Sequence, residues 1–322
     1  MAEEIVAVRT GVELCYEELG PADGAPMLLV MGLGTQLIAW PDELCRDLAR
    51  RGYRVVRFDN RDVGRSTHLG GPTPDPFKVA LGWARPAYRL EDLAEDAVAL
   101  LERLGMERAH VVGASMGGFV AQIVAIRHPE RVRSLSLLMT STGSRRVGLP
   151  RPRLARVVGR RRDQQADRAA AVAVVLAVAR AVGSSGYRFD EAYLRSLAER
   201  AYDRGYDPDG AVRQLGAILA QRDRTPELGS IEVPTVVIHG LADPLVGVSG
   251  GRALATAIPG ARFVGLAGMG HDLPRELWGR IANEIAATAA AADLRDQPSG
   301  EAPAPPRAST SPRSRLCGSS SE

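Results

Sequence analysis

Short apolar runs alternate with amphipathic stretches along most of this chain, and that rhythm restricts the fold more than any other feature. "MLLVM" (Met27–Met31), "YRVVRF" (Tyr53–Phe58), "HVVGA" (His110–Ala114), "LSLLM" (Leu135–Met139), "TVVIHG" (Thr235–Gly240) and "RFVGLA" (Arg262–Ala267) are apolar almost throughout. A strand that is apolar on both faces must be buried on both, inside a sheet covered by helices. The segments between, such as "DELCRDLARRG" and "LEDLAEDAVALLERLG", carry apolar residues at helical spacing. The alternation predicts an α/β fold with a mostly parallel central sheet flanked by helices. "EEIVAV" and "VELCYEEL" predict a leading antiparallel hairpin.

The rhythm stops near Thr140 and resumes at Pro234. The intervening segment is rich in Ala, Arg and Val at helical spacing, which predicts a helical insertion placed on the sheet. The expected division is a core at 1–142 and 229–292, an insertion at 143–228 and a tail at 293–322. The tail, "DQPSGEAPAPPRASTSPRSRLCGSSSE" with its flanking residues, is too poor in apolar residues to offset the entropy of ordering, and is expected to be disordered.

Bulk properties narrow the function. A net charge of +3 over 322 residues is too small to imply nucleic-acid binding. Cys15, Cys45 and Cys317 lie far apart, so neither a zinc knuckle nor a disulfide framework is suggested. The acidic start "MAEEIVAVRT" lacks the apolar core of a secretory signal. The longest apolar run, Ala169–Ala179, is too short to span a bilayer. A soluble, cytoplasmic protein is the expectation.

The chemistry centres on "HVVGASMGG". A strand ends near Gly113 and a helix begins near Met116, so Ser115 sits on a sharp turn. Small residues two before and two after it are needed to avoid clashes, which gives G-x-S-x-G. That turn lifts the hydroxyl above the sheet edge, where the backbone N–H of Met116 faces a developing oxyanion. A serine needs a base, usually histidine. On a turn of this kind the acid and then the histidine follow the serine in the chain. His68 and His110 precede it, His128 reads as a surface or helix-end residue, and His239 closes a strand. His271, in "AGMGHDLP", follows the last strand and is the candidate base. Asp243, in the loop after "TVVIHG", is the candidate acid, because Asp272 is adjacent to His271 and cannot readily curl back to orient it. The second oxyanion donor comes from the loop after the third strand, here "MGLGT", which nominates the backbone N–H of Leu33.

With these pieces in order, the chain resembles the α/β-hydrolase superfamily over roughly residues 10–290. "MGLGTQLIAWP", "RFDNRDVGRST", "VVGASMGG", "IHGLADPLV" and "GMGHDLP" are similar to segments of actinobacterial lipases and esterases and, more distantly, of aclacinomycin methylesterases. The resemblance implies Ser115 as nucleophile, Asp243 as acid, His271 as base, no cofactor or metal, and a helical cap formed by the insertion. The chain departs from the pattern twice. Met31–Gly32 replaces the common His-Gly, which alters pocket polarity, and Asp62 stands where a glycine is usual. Neither removes a backbone donor.

The expected activity is cleavage of a small-molecule carboxylic ester, or of a thioester or lipid ester, through an acyl-enzyme. A lactone or C–C bond could be cleaved with the same residues, and a ligand-binding or sensing protein could retain the fold. Epoxide hydrolases and dehalogenases of this fold carry Asp where this chain has Ser115. Between Arg145 and Arg168 arginines outnumber acids, and an apolar run follows. Such a stretch reads either as a solvated cap face or as a peripheral contact with an anionic membrane. Phe77, Trp83 and Tyr88, in the loop after the fourth strand, either line the entrance to the site or pin the loop to the body.

Overall fold

The computed structural model of the protein describes residues 2–71, 73–154 and 167–296. Its centre is an eight-stranded sheet in the order β1-β2-β4-β3-β5-β6-β7-β8. The strands are β1 (Glu4–Ala7), β2 (Glu13–Leu19), β3 (Ala25–Val30), β4 (Tyr53–Phe58), β5 (Ala109–Ala114), β6 (Val132–Leu138), β7 (Thr235–Gly240) and β8 (Arg262–Leu266). β1 and β2 form the expected hairpin, β2 runs antiparallel to β4, and all later pairings are parallel.

Alternate residues of each inner strand feed two separate cores, as the pleat requires. Leu28 and Val30 of β3 enter one core and Met27 and Leu29 the other. The first core is completed by α3 (Leu90–Arg103), α4 (Met116–Arg127) and α8 (Val248–Ala257). The second is completed by α1 (Asp42–Arg50) and by α9 (Trp278–Asp296). Because the inner strands are parallel, their carboxyl ends share one edge. The register sets Val30 beside Gly113 and Ala114 beside Leu138 on that edge. Ligands of open α/β sheets bind there.

The segment after β6 leaves this edge and forms α5 (Arg168–Val182), α6 (Glu191–Arg204) and α7 (Pro208–Leu219). Between 143 and 228 no strand occurs among the described residues. Each helix starts on an aspartate whose side chain accepts a backbone N–H: Asp167 from Ala170, Asp190 from Tyr193 and Asp207 from Gly210. Val172 and Leu176 of α5 pack on Ala198 of α6. No helix among the described residues is long and apolar enough to cross a membrane. Arg160, Arg161 and Arg162 lie outside the described residues.

One sequence expectation shifts, and one open alternative is decided. Helix α9 continues to Asp296, beyond the boundary at 292, and Asp293 reaches back to Arg133 at 2.8 Å. The alanine-rich end of the helix belongs to the core, and residues 297–322 lie outside the described part. In the β4–α3 loop, which carries the short helix α2 (Pro76–Ala80), Tyr88 is 6% exposed whereas Phe77 and Trp83 are 67% and 74% exposed. Tyr88 therefore fastens the loop to the body, and the other aromatic rings do not.

Asp62 has a left-handed backbone, φ +66°, which explains why a glycine is usual there. The aspartate adds what a glycine lacks. Arg213 of α7 donates to both its carboxylate oxygens at 2.9 Å, and both side chains are buried. Asp62→Asn tolerates the same backbone and keeps the acceptor for the Leu69 N–H. It leaves the buried Arg213 short of a charge, so it is expected to cost roughly 3 kcal/mol in denaturant unfolding. A change within about 0.5 kcal/mol would show that this pair does not hold α7 to the core.

Candidate active site

Ser115 occupies the turn between β5 and α4 with φ +54° and ψ −117°, a strained conformation for a residue with a side chain. Its N–H donates to Leu138 O at 2.9 Å, which fixes the turn on the neighbouring strand. The flanking glycines follow from how closely three segments meet. A Cβ on Gly113 would lie 2.3 Å from Gly117 O, and one on Gly117 would lie 2.0 Å from Val30 O.

The structure brings Ser115, His271 and Asp243 into one hydrogen-bonded chain. Ser115 Oγ lies 2.9 Å from His271 Nε2, and His271 Nδ1 lies 2.7 Å from Asp243 Oδ2. An ionised carboxylate only accepts, so Nδ1 carries the proton and Nε2 is left to accept from the serine hydroxyl. Asp243 Oδ1 in turn accepts from the N–H groups of Leu245 and Val246, at 2.8 and 2.9 Å. The Asp243 side chain is fully buried and that of His271 is 9% exposed. Nε2 of the imidazole thus faces Ser115 Oγ while Nδ1 is held by Asp243.

Asp272 takes no part in this chain. Its carboxylate accepts from Ser184 Oγ, and Ser184 Oγ also accepts from the Gly270 N–H at 2.9 Å. Burial pushes the Asp272 carboxyl above its ordinary range, against the pull of Ser184. The His271 N–H donates to Val182 O at 2.8 Å, so the end of α5 seats the histidine loop.

The remaining histidines are engaged elsewhere. His110 meets Ser134 Oγ at 2.9 Å, and His128, at the end of α4, meets Glu95 at 2.8 Å. His239 Nε2 donates to Val246 O at 2.8 Å, and burial lowers its pKa. His68 faces Asp207 at 2.7 Å. Burial disfavours its charge, but the Gly64 carbonyl and Asp207 outweigh that, so its pKa is raised.

Asp62, His68 and Asp207 bring potential ligand atoms within 4.8 Å of one another. A guanidinium already stands where a cation would: Arg213 Nη2 lies 2.9 Å from both Asp62 and Asp207. The cluster is an ion-pair network that joins α7 to the segment after β4.

The turn holding Leu33 packs on the serine. A Cβ on Gly32 would lie 3.2 Å from Ser115 Cβ, so glycine permits the approach. Met116, the first residue of α4, places its amide at the helix start, where the dipole favours negative charge. Three further residues escape the sequence pattern. Gln214 of α7 accepts from the Gly34 N–H at 2.7 Å. Arg204 of α6 bonds to Gln36 and pairs with Asp59 at 3.0 Å, and Asp59 accepts from the Leu37 N–H at 2.6 Å. Arg224 lies buried where the chain re-enters the core. It meets Gln122 and Gln221 and stacks over Phe119 at 5.0 Å. Burial lowers its pKa to about 10.

Sheet, crossovers and the serine turn define the α/β-hydrolase class. The sequence matches the profile of the alpha/beta hydrolase fold family over residues 25–274, and the chain belongs to that family. It is 30% identical over 300 residues to rhodomycin D methylesterase DnrP of Streptomyces peucetius, covering 88% of this chain and 97% of that enzyme. It is 26% identical to 3-oxoadipate enol-lactonase 2 of Acinetobacter baylyi, covering 77% and 82% of the respective chains. The crystal structure of the enol-lactonase from Burkholderia xenovorans LB400 superposes with a TM-score of 0.67 at 27% identity, over 91% of this chain and 99% of that one.

The packing at the serine turn sets a stringent test. Gly117→Ala forces a methyl group into the Val30 carbonyl, a contact between backbones that no rotamer relieves. The expected cost is at least about 3 kcal/mol, seen as a large fall in Tm or loss of soluble protein. A variant as stable as the parent would contradict the close approach of β3 to α4.

Proposed function

We propose that the chain is a carboxylic-ester hydrolase that works through an acyl-enzyme on Ser115. The observation that carries this reading is the Ser115–His271–Asp243 chain, with contacts of 2.9 and 2.7 Å, at the carboxyl edge of the sheet. The similarity to a methylesterase over 97% of its length supports the bond type.

In this reading Ser115 Oγ attacks the ester carbonyl as its proton passes to His271 Nε2. Asp243 holds the Nδ1–H and stabilises the imidazolium. The backbone N–H groups of Leu33 and Met116 bind the oxyanion of the tetrahedral intermediate. Collapse expels the alkoxide, which takes the proton from His271, and leaves Ser115 acylated. Water then attacks the acyl carbon, giving its proton to His271. Breakdown releases the carboxylic acid and returns the proton to Ser115. The steps need no cofactor. A lactone would follow the same course with the alcohol still tethered to the acyl group, and the likeness to enol-lactonases favours this as the second reading.

Hydrolysis of p-nitrophenyl esters of increasing acyl length tests the proposal. Ser115→Ala is expected to lower kcat by roughly four orders of magnitude or more while the protein stays folded. Near-parental turnover by a folded variant would reject Ser115 as nucleophile.

A paired comparison tests the acid. Asp243→Asn leaves His271 Nδ1 facing a group that can donate, and is expected to lower kcat by about 10⁴-fold. Asp272→Asn is expected to change it by less than about tenfold. The reverse order of damage would transfer the role to Asp272.

A further inference from the structure

We propose that Gln214, a residue of the cap, is a positioning residue for the oxyanion loop, holding the Leu33–Gly34 peptide in one of its two turn forms so that the loop carrying the Leu33 N–H keeps its shape beside Ser115. The inference rests on the reading of Ser115 as nucleophile and adds a role that neither the motif nor its neighbours in sequence indicate.

The turn itself explains why an external hold is needed. Thr35 N–H closes back on Gly32 O at 3.4 Å, Thr35 Oγ1 donates to the same oxygen at 2.9 Å, and Gly34 has φ +61°. Gly32 to Thr35 therefore form a turn of the type II kind, with glycine at the position that needs positive φ. Types I and II differ by a flip of the central peptide, here Leu33–Gly34. A glycine in the third position permits both forms, so the turn alone does not choose between them.

Gln214 makes the choice. Its Oε1 accepts from the Gly34 N–H at 2.7 Å, and its Nε2 donates to Arg61 O at 2.9 Å. The side chain is fully buried. Burial makes the alternative costly, because a flipped peptide would present the Leu33 carbonyl to Oε1 and leave acceptors facing each other. The adjoining peptide is fixed from its other end. A trans peptide points its C=O and N–H in opposite directions. With Gly32 O turned to Thr35, the Leu33 N–H points away from Thr35, and a Cβ added to Gly32 would lie 3.2 Å from Ser115 Cβ.

Gln214 is itself held in place. Arg213 beside it forks onto Asp62, and Gly210 of the same helix lies against Asp62 O, where an added Cβ would stand 2.2 Å away. On the other side of the turn, Gln36 Nε2 donates to the Ala201 and Gly205 carbonyls at 2.7 and 2.8 Å. The oxyanion loop is thus gripped by α6 and α7 through the Gly34 N–H and the Gln36 side chain, and the turn that carries the Leu33 N–H is set by where those helices lie.

The test is Gln214→Leu, similar in volume but unable to hydrogen-bond, compared with Gln214→Glu. A protonated glutamate can still accept from Gly34 and donate to Arg61. For a soluble p-nitrophenyl ester, Gln214→Leu is expected to lower kcat by about 10- to 100-fold with KM changed less than about threefold. Affinity for an alkyl boronic acid, whose serine adduct carries an oxygen in the oxyanion position, should fall by the same factor. Gln214→Glu should recover most of both losses. If the leucine variant does not fold, Gln214→Asn, one methylene short of Gly34, takes its place with the same expectation. A kcat within about twofold of the parent, or a loss that leaves boronate affinity unchanged, overturns the proposal. Absence of ester hydrolysis by the parent protein, or its survival in Ser115→Ala, would instead overturn the reading on which the proposal rests.

Discussion

The close approach of β3, β5 and α4 around Ser115 is the constraint on which the rest of the site depends. Backbone meets backbone at Gly113, Gly117 and Val30, with no room for a methyl group between them. That packing holds Ser115 at φ +54° and sets its hydroxyl at the edge where the inner strands end. A serine on an ordinary helix or strand would share its hydroxyl with nearby backbone groups. Here the geometry directs it to His271, and the acid behind that histidine is buried and doubly hydrogen-bonded by its own loop. The strain at the serine is sustained by the two cores that clamp the sheet from either face.

Helices α6 and α7 are joined to the segment after β4 by buried charge. Arg213 and Arg204, from adjacent helices, each reach a fully buried aspartate of the segment after β4. Such pairs contribute little net stability against an apolar alternative, because desolvation offsets much of the attraction. Their direction gives them value: a bidentate guanidinium fixes orientation as well as distance. The segment they fix, Asp59 to Ser66, accepts from the Leu37 N–H just after the loop that follows β3 and supports Gln214 through Arg61. One network therefore ties α6 and α7 to the loop that follows β3.

What the sequence reveals about this arrangement follows from the range of each interaction. The strands are legible because burial on both faces leaves nearly continuous apolar runs. Ser115 is legible because its turn needs small residues within two positions, and Asp243 and His271 follow because each lies just beyond a strand end. Gln214 is not legible: its partner Gly34 is 180 residues away, and a glutamine inside an amphipathic helix looks like any solvated position. Arg204 and Arg224 are hidden among many arginines for the same reason. Asp62 lies between these cases. It stands out where glycine is usual, but its purpose is visible only once Arg213 faces it. The boundary between helix and tail is hard to read because an alanine-rich helix and a low-complexity tail share a composition, and contacts distant in sequence, such as Arg133 with Asp293, separate them.

The central claim is that this packing produces an activated serine at position 115. Intact-mass spectrometry after brief treatment with a fluorophosphonate, followed by peptide mapping, tests it directly, because the reagent reacts with a serine whose proton has a base to receive it. The account predicts one adduct per chain, located on the peptide carrying Ser115 and lost when His271 is replaced by alanine. Absence of labelling in folded protein, or labelling at another residue, would contradict it.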